Sequence, residues 1–240
     1  MITSSPSSLH RKKLLSLFGL FVFATLIFAN DSWAQTSAPR VLLTWQANSY
    51  VPISYLGKAL PSPNSVIAAS VEIIDQGKIA DLSKNNVYWY LNGSLVGSGV
   101  GKKNVNIRVG SRALQEEELM VQIPGYKGDL ILKTIILFIA SPTAVIEAPY
   151  ADRSFGGGSV AVKGVPYFFN VPDLSTLVFN WTVNGQSVPM ATSTIEKTTL
   201  VANINQDAAP GAQLDIGLTI QDPKERFYYG SGNVTLNLAK

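Results

Sequence analysis

The sequence predicts an all-β protein: two successive β-sandwich modules behind a hydrophobic N-terminal signal or anchor helix. Three observations predict it: a strand motif that occurs twice, two-residue alternation through most of the chain, and an apolar run near the start. The repeated motif is Val87-Tyr88-Trp89-Tyr90-Leu91-Asn92-Gly93, which aligns with Phe179-Asn180-Trp181-Thr182-Val183-Asn184-Gly185, 92 residues further on. In each copy the first, third and fifth residues are large and apolar, and an Asn-Gly turn follows. Alternation ending in Asn-Gly is a strong signal for a strand entering a hairpin. A repeat of about ninety residues is the size of a domain.

The apolar run gives a cellular address. The basic stretch His10-Arg11-Lys12-Lys13 precedes 16 uncharged residues, 14–29. Ser32 and Ala34 then occupy the small-residue positions of a signal-peptidase site. Cleavage after Ala34 leaves 206 residues. An uncleaved anchor is the other reading, although 16 residues is short of the roughly 20 that span a bilayer. Either way residues 1–34 mark export to the periplasm, cell surface or medium, with membrane contact only through this segment if it is retained. The run 130–140 is apolar but interrupted by Lys133, and it reads as a strand buried on both faces.

The first module is expected over 38–140. Alternation places strands at 41–46, 66–74, 87–91, 104–109, around Leu119, Val121 and Ile123, and at 130–139, with a short one near Leu95 and Val96. About seven strands is the count of an immunoglobulin-like sandwich. Ser141-Pro142-Thr143 echoes Ala38-Pro39-Arg40 and reads as a short hinge, so the modules should abut with limited freedom. The second module, 141–240, repeats the order. Strands are expected at 144–147, from 159 towards Phe169 after a triple glycine, and at the second tryptophan motif. Others follow at Leu200, Ala202 and Ile204, at Leu214 to Ile220 with alternate residues apolar, and at Val234, Leu236 and Leu238.

Composition excludes more than it assigns. Loss of residues 1–34 removes Arg11, Lys12, Lys13 and Asp31, leaving 16 basic and 15 acidic groups and a net charge of +1. Dispersed, nearly balanced charge carries no footprint for nucleic acid, and Lys102-Lys103 reads as a solvated strand end. There is no cysteine, so the cores must hold without disulfides. The one histidine, His10, lies in the leader. A mature chain without His or Cys has no Ser-His-Asp triad, cysteine nucleophile or ordinary zinc site. It is read as non-enzymatic, with no catalytic, cofactor or metal residue assigned.

The candidate sites are therefore surfaces. Trp89 and Trp181 lie on the apolar side of alternating strands and are read as structural core, whereas Tyr88 and Tyr90 point outward and are platform candidates. Tyr228 and Tyr229 add aromatic character to a carbohydrate-binding alternative. Residues 50–63 form the longest unpatterned stretch, and Tyr50, Tyr55 and Leu56 make it a candidate partner surface. Glu116-Glu117-Glu118, Asp75 and Asp81 lack calcium-loop spacing, and the triple glutamate reads as a solvated turn. The Asn-x-Ser/Thr matches at Asn92, Asn180 and Asn233 would carry no further meaning if the source is a bacterium, and the second overlaps a buried strand.

The Trp-x-(Leu/Val)-Asn-Gly strand, with a later Leu-x-Ile-x-Leu-x-Ile strand, resembles bacterial Ig-like and PKD-type sandwich modules, commonly arrayed on exported surface proteins. The resemblance covers about 200 residues. It departs at Thr182-Val183-Asn184-Gly185, where PKD-type modules carry an acidic continuation. What it implies is a structural, adhesive or protein-binding module whose partner is another envelope protein or a surface polymer. A carbohydrate-binding pair and a membrane-anchored accessory of a secretion or pilus assembly are the alternatives.

Overall fold

In the computed structural model the described residues of the first half form eight strands in two sheets. The structure describes residues 38–189, 197–204, 209–225 and 228–239, and the expected signal or anchor segment lies outside them. The strands are β1 (Arg40–Ala47), β2 (Val66–Asp75), β3 (Lys78–Ile79), β4 (Asn86–Leu91), β5 (Ser94–Val100), β6 (Asn104–Arg108), β7 (Gln115–Tyr126) and β8 (Asp129–Ile139). In one sheet β1, β3 and β6 all pair with β2; the other has the order β5-β4-β7-β8. Their inner faces meet in a core that includes Ile67, Val71, Ile73, Trp89, Leu119 and Leu137.

The second half repeats the plan with β9 (Thr143–Glu147), β10 (Ser154–Phe155), β11 (Ser159–Tyr167), β12 (Val178–Val183), β13 (Gln186–Ser187), β14 (Thr199–Asn203), β15 (Gln213–Gln221) and β16 (Tyr229–Leu238). Its sheets run β14-β11-β9 and β10-β16-β15-β12-β13. A separate core gathers Val162, Phe169, Phe179, Trp181, Ile216, Leu218 and Leu236. The chain is thus all-β, built as two Ig-like sandwiches. Helical backbone among the described residues is confined to two 3-10 turns, Ala151–Arg153 and Leu174–Thr176, and to Lys197 and Thr198.

The twin motifs do the same work in both sandwiches. Asn92 and Gly93 have φ of 49° and 77°, and Asn184 and Gly185 have 48° and 77°. Positive φ at both central residues is what the right-handed strand twist asks of a two-residue hairpin turn. Each asparagine also grips the strand on the other side of the tryptophan strand, β7 in the first sandwich and β15 in the second. Asn92 Oδ1 accepts the Glu118 N–H at 2.8 Å, and Asn184 Oδ1 accepts the Asp215 N–H at 2.9 Å. Both indoles are buried, and each Nε1–H donates to the carbonyl of a lysine two residues before a strand: Lys102 at 3.0 Å and Lys197 at 2.9 Å. A buried indole nitrogen needs such an acceptor.

The segment between β1 and β2 ties the two sandwiches together. Ala140 N–H donates to Pro61 O at 2.8 Å and Asn64 N–H to Gly110 O at 3.0 Å, closing the end of the first core. Tyr50 then forms a two-way bridge with the second sandwich: its N–H donates to Phe169 O at 2.6 Å and its O accepts from Phe168 N–H at 2.7 Å. Tyr228 completes the joint. Its hydroxyl lies 2.6 Å from Ser62 Oγ and 2.9 Å from Phe168 O, and accepts the Asn170 N–H at 2.8 Å. With one proton to give, the phenol donates to the carbonyl, which cannot reciprocate, and takes the proton of Ser62. Burial is the chief reason its pKa is pushed up to about 12.

Three expectations are corrected here. The run 130–140 is not a strand covered on both faces: β8 ends its sheet, and alternate side chains stand in solvent. Glu116-Glu117-Glu118 is not a turn but lies inside β7. Glu117 points inward, where Oε1 accepts the Gly110 N–H at 2.9 Å and Oε2 is buried with no partner among the described residues. Tyr228 is 8% exposed and holds the joint, so it is no binding platform.

Candidate interaction face

The outer face of the β5-β4-β7-β8 sheet is where the chain presents chemistry to solvent. Alternation on β4 sends Val87 and Trp89 into the core and leaves Tyr88 and Tyr90 half-buried on the outside. The register then lays their neighbours beside them. Tyr88 lies opposite Gln122, which lies opposite Leu132; Tyr90 lies opposite Met120, which lies opposite Thr134. The edge strand β8 continues the row with Leu130, Leu132, Ile136 and Phe138, each between 42% and 54% exposed. On the far side Leu95 pairs with Tyr90 and is exposed as well. Glu118 and Glu116, opposite Ile136 and Phe138, give one end a negative border.

The residues singled out from sequence divide into separate places. Tyr88 and Tyr90 share this face. Trp89 and Trp181 are in the two cores. Tyr50 packs against the second core, and Tyr55 makes edge-on ring contacts with Tyr167 at 5.7 Å and Phe168 at 5.8 Å. Both are occupied inside the chain, while Ile53 and Leu56 near them are fully exposed. The face's aliphatic members on β8 escaped sequence reasoning, because an apolar run looks alike whether its second side meets protein or water. The visible signal was Lys133, a charge in mid-strand.

Two grooves lie elsewhere. One of about 610 Å³ is lined by Glu147, Lys163 and Thr199 among others. The other, about 400 Å³, holds Asp75, Asp81, Tyr126 and Lys127. Lys127, 2.5 Å from Asp75, and the Tyr126 hydroxyl at 2.8 Å hold the Asp75 carboxyl below the usual carboxylate range. Asp81 is likewise lowered by the N–H and hydroxyl of Ser83. Both carboxylates are thus engaged in structural bonds. Among the described residues no three acidic, His or Cys side chains cluster to hold a metal, and no helix is long and apolar enough to cross a membrane.

No family profile and no curated protein matches the chain. Solved structures do, at low similarity. Fibronectin(III)-like modules of CbhA from Clostridium thermocellum share 12% identity over 82% of this chain and 94% of that one, with a TM-score of 0.29. The three N-terminal domains of the outer capsid protein Hoc of bacteriophage RB49 share 6% over 84% and 59%, with a TM-score of 0.44. A structure bearing on host cell surface retention of a bacterial ice-binding adhesin shares 12% over 86% and 67%, with a TM-score of 0.31. The chain is similar to these in sandwich architecture alone.

Proposed function

We propose that this is an exported, non-enzymatic protein of the cell envelope, with a signal or anchor segment at 1–34 and Ig-like domains at 38–140 and 141–240. It acts as a structural, adhesive or protein-binding module. The observation that carries this reading is the outer face built on Tyr88, Tyr90, Met120, Leu132, Ile136 and Phe138. Half-exposed apolar and aromatic side chains on one sheet face form the kind of patch that marks an interaction surface. The joint at Tyr50, Ser62 and Tyr228 supports a spacer role, since it fixes one sandwich against the other.

A second reading is favoured by one observation: Tyr88 and Tyr90 stand two residues apart on an open sheet, as a sugar-stacking platform would. The test compares the wild type with Tyr90→Lys, by pull-down from envelope fractions and on a glycan array. A defined protein retained by the wild type and lost in the variant supports the leading reading. Array binding lost in the variant transfers the function to carbohydrate. Turnover of a polysaccharide or peptide overturns both.

A further inference from the structure

The geometry points to the outer edge of β8 as the place where a second copy of this chain pairs, antiparallel, about a two-fold axis at Thr134. The inference rests on the interaction face just described and names its occupant. Three observations carry it.

First, among the described residues β8 is the last strand of its sheet and offers its outer backbone groups to a partner along its eleven residues. An open, long, apolar edge is a template for strand addition. Second, the chain contains its own control. β16 holds the equivalent place after β15, yet its outer-row residues are Tyr229, Ser231, Asn233, Thr235 and Asn237, where β8 has Leu130, Leu132, Thr134, Ile136 and Phe138. β10 pairs with β16 only at its end, at Asn237 and Leu238, so the comparison is between two edges that are open over most of their length. The fold therefore does not require aliphatic residues on this row, yet β8 has four apolar residues there and β16 has no aliphatic one.

Third, the strand is complementary to itself. A two-fold axis at Thr134 pairs all eleven residues and sets Leu130 opposite Phe138 and Leu132 opposite Ile136. All four exposed apolar side chains then meet apolar partners. Asp129 and Lys133 are the strand's two charges. In this register Lys133 faces Ile135, whereas an axis one residue earlier would set Lys133 against Lys133, a like-charge pair that destabilises a ladder. A one-residue offset would set the exposed row against Ile131, Ile135 and Leu137 of the other copy, side chains that its own core already holds. The same row of side chains continues onto Met120 and Tyr90, so pairing extends one sheet through both copies.

The test uses the protein as the expressing cell processes it, in sedimentation velocity at rising concentration. Small interfaces are typically weak and transient, so the series is carried to about 200 µM. The expected result is twice the monomer mass at about 100 µM, reverting to monomer in Ile136→Lys with an unchanged circular dichroism spectrum. Because the chain has no cysteine, Thr134→Cys reports the axis directly. Antiparallel Cα separations of about 4.5–5.5 Å suit a disulfide, so it should crosslink far faster than Ser231→Cys on β16. A chain still monomeric at about 200 µM, a dimer indifferent to Ile136→Lys, or equal crosslinking at both positions overturns the pairing. Capture of a Tyr90-dependent partner by a monomeric chain would sink the pairing and spare the interaction-face reading. A β8 dimer that captures no other protein would support the pairing and make the second copy the occupant of the face.

Discussion

Tyr228→Phe isolates the joint between the sandwiches, because it removes one oxygen and no shape. That oxygen serves Ser62, which is fully buried, together with Phe168 O and Asn170 N–H. Leaving buried partners unsatisfied costs about 1–3 kcal/mol, with Ser62 carrying most of it because Asn170 is exposed and can turn to water. The variant should be destabilised by that amount at pH 8, in urea unfolding followed by the fluorescence of Trp89 and Trp181, one in each core.

Alkali should then narrow the gap. Burial raises the Tyr228 pKa to about 12 from the ordinary 10, so the folded chain favours the neutral phenol. That contribution is complete below pH 10 and is lost as pH rises from 10 through 12. At pH 11 the wild type should have lost about 1.4 kcal/mol that the phenylalanine variant never had. A gap that stays constant between pH 8 and pH 11 would refute the account of the joint, as would equal stability at pH 8.

Asn184→Gly keeps the positive φ of its turn but loses the bond to Asp215 N–H; on an exposed site it should cost about 0.5–1 kcal/mol by chemical denaturation. Asn184→Ala should cost about 1 kcal/mol more than the glycine variant, because alanine has a Cβ at that φ without the local hydrogen bonding by which asparagine tolerates it. Glu117→Gln should raise the denaturation midpoint at neutral pH, since a neutral amide is less costly to bury than a carboxylate with one orphan oxygen; a lowered midpoint would show that this oxygen has a partner. Asp75→Asn should flatten the acid limb of the Tm–pH curve. The lowered folded pKa gives a contribution present above the ordinary value of 3.8 and lost as pH falls through the folded one. Parallel curves for the two proteins would remove Asp75 from that account.

The strands and cores were legible because a sandwich strand carries its orientation in its alternation. Val87, Trp89 and Leu91 declare an inward side without reference to any other residue, and the same logic reads Leu214, Ile216, Leu218 and Ile220. The Asn-Gly turns were equally local, since their conformation depends on two residues alone. Of the interaction face, Tyr88 and Tyr90 could be found from their outward phase. Its aliphatic half could not, because strand order in a sheet arises from pairing between distant segments.

Three decisions lay in that pairing and in nothing local. One made β8 the last strand and exposed a row that composition marks as buried. Another turned Glu117 inward, because the β7 ladder runs through a stretch whose charges suggest a turn. The third set Tyr228 against Ser62, 166 residues away, so that an aromatic residue with a surface signature became part of the joint. In each case the primary structure specifies which side chains alternate, while the side that meets water depends on which segments come to lie next to them. That choice is a balance of burial over the whole fold, and no window of neighbouring residues contains it.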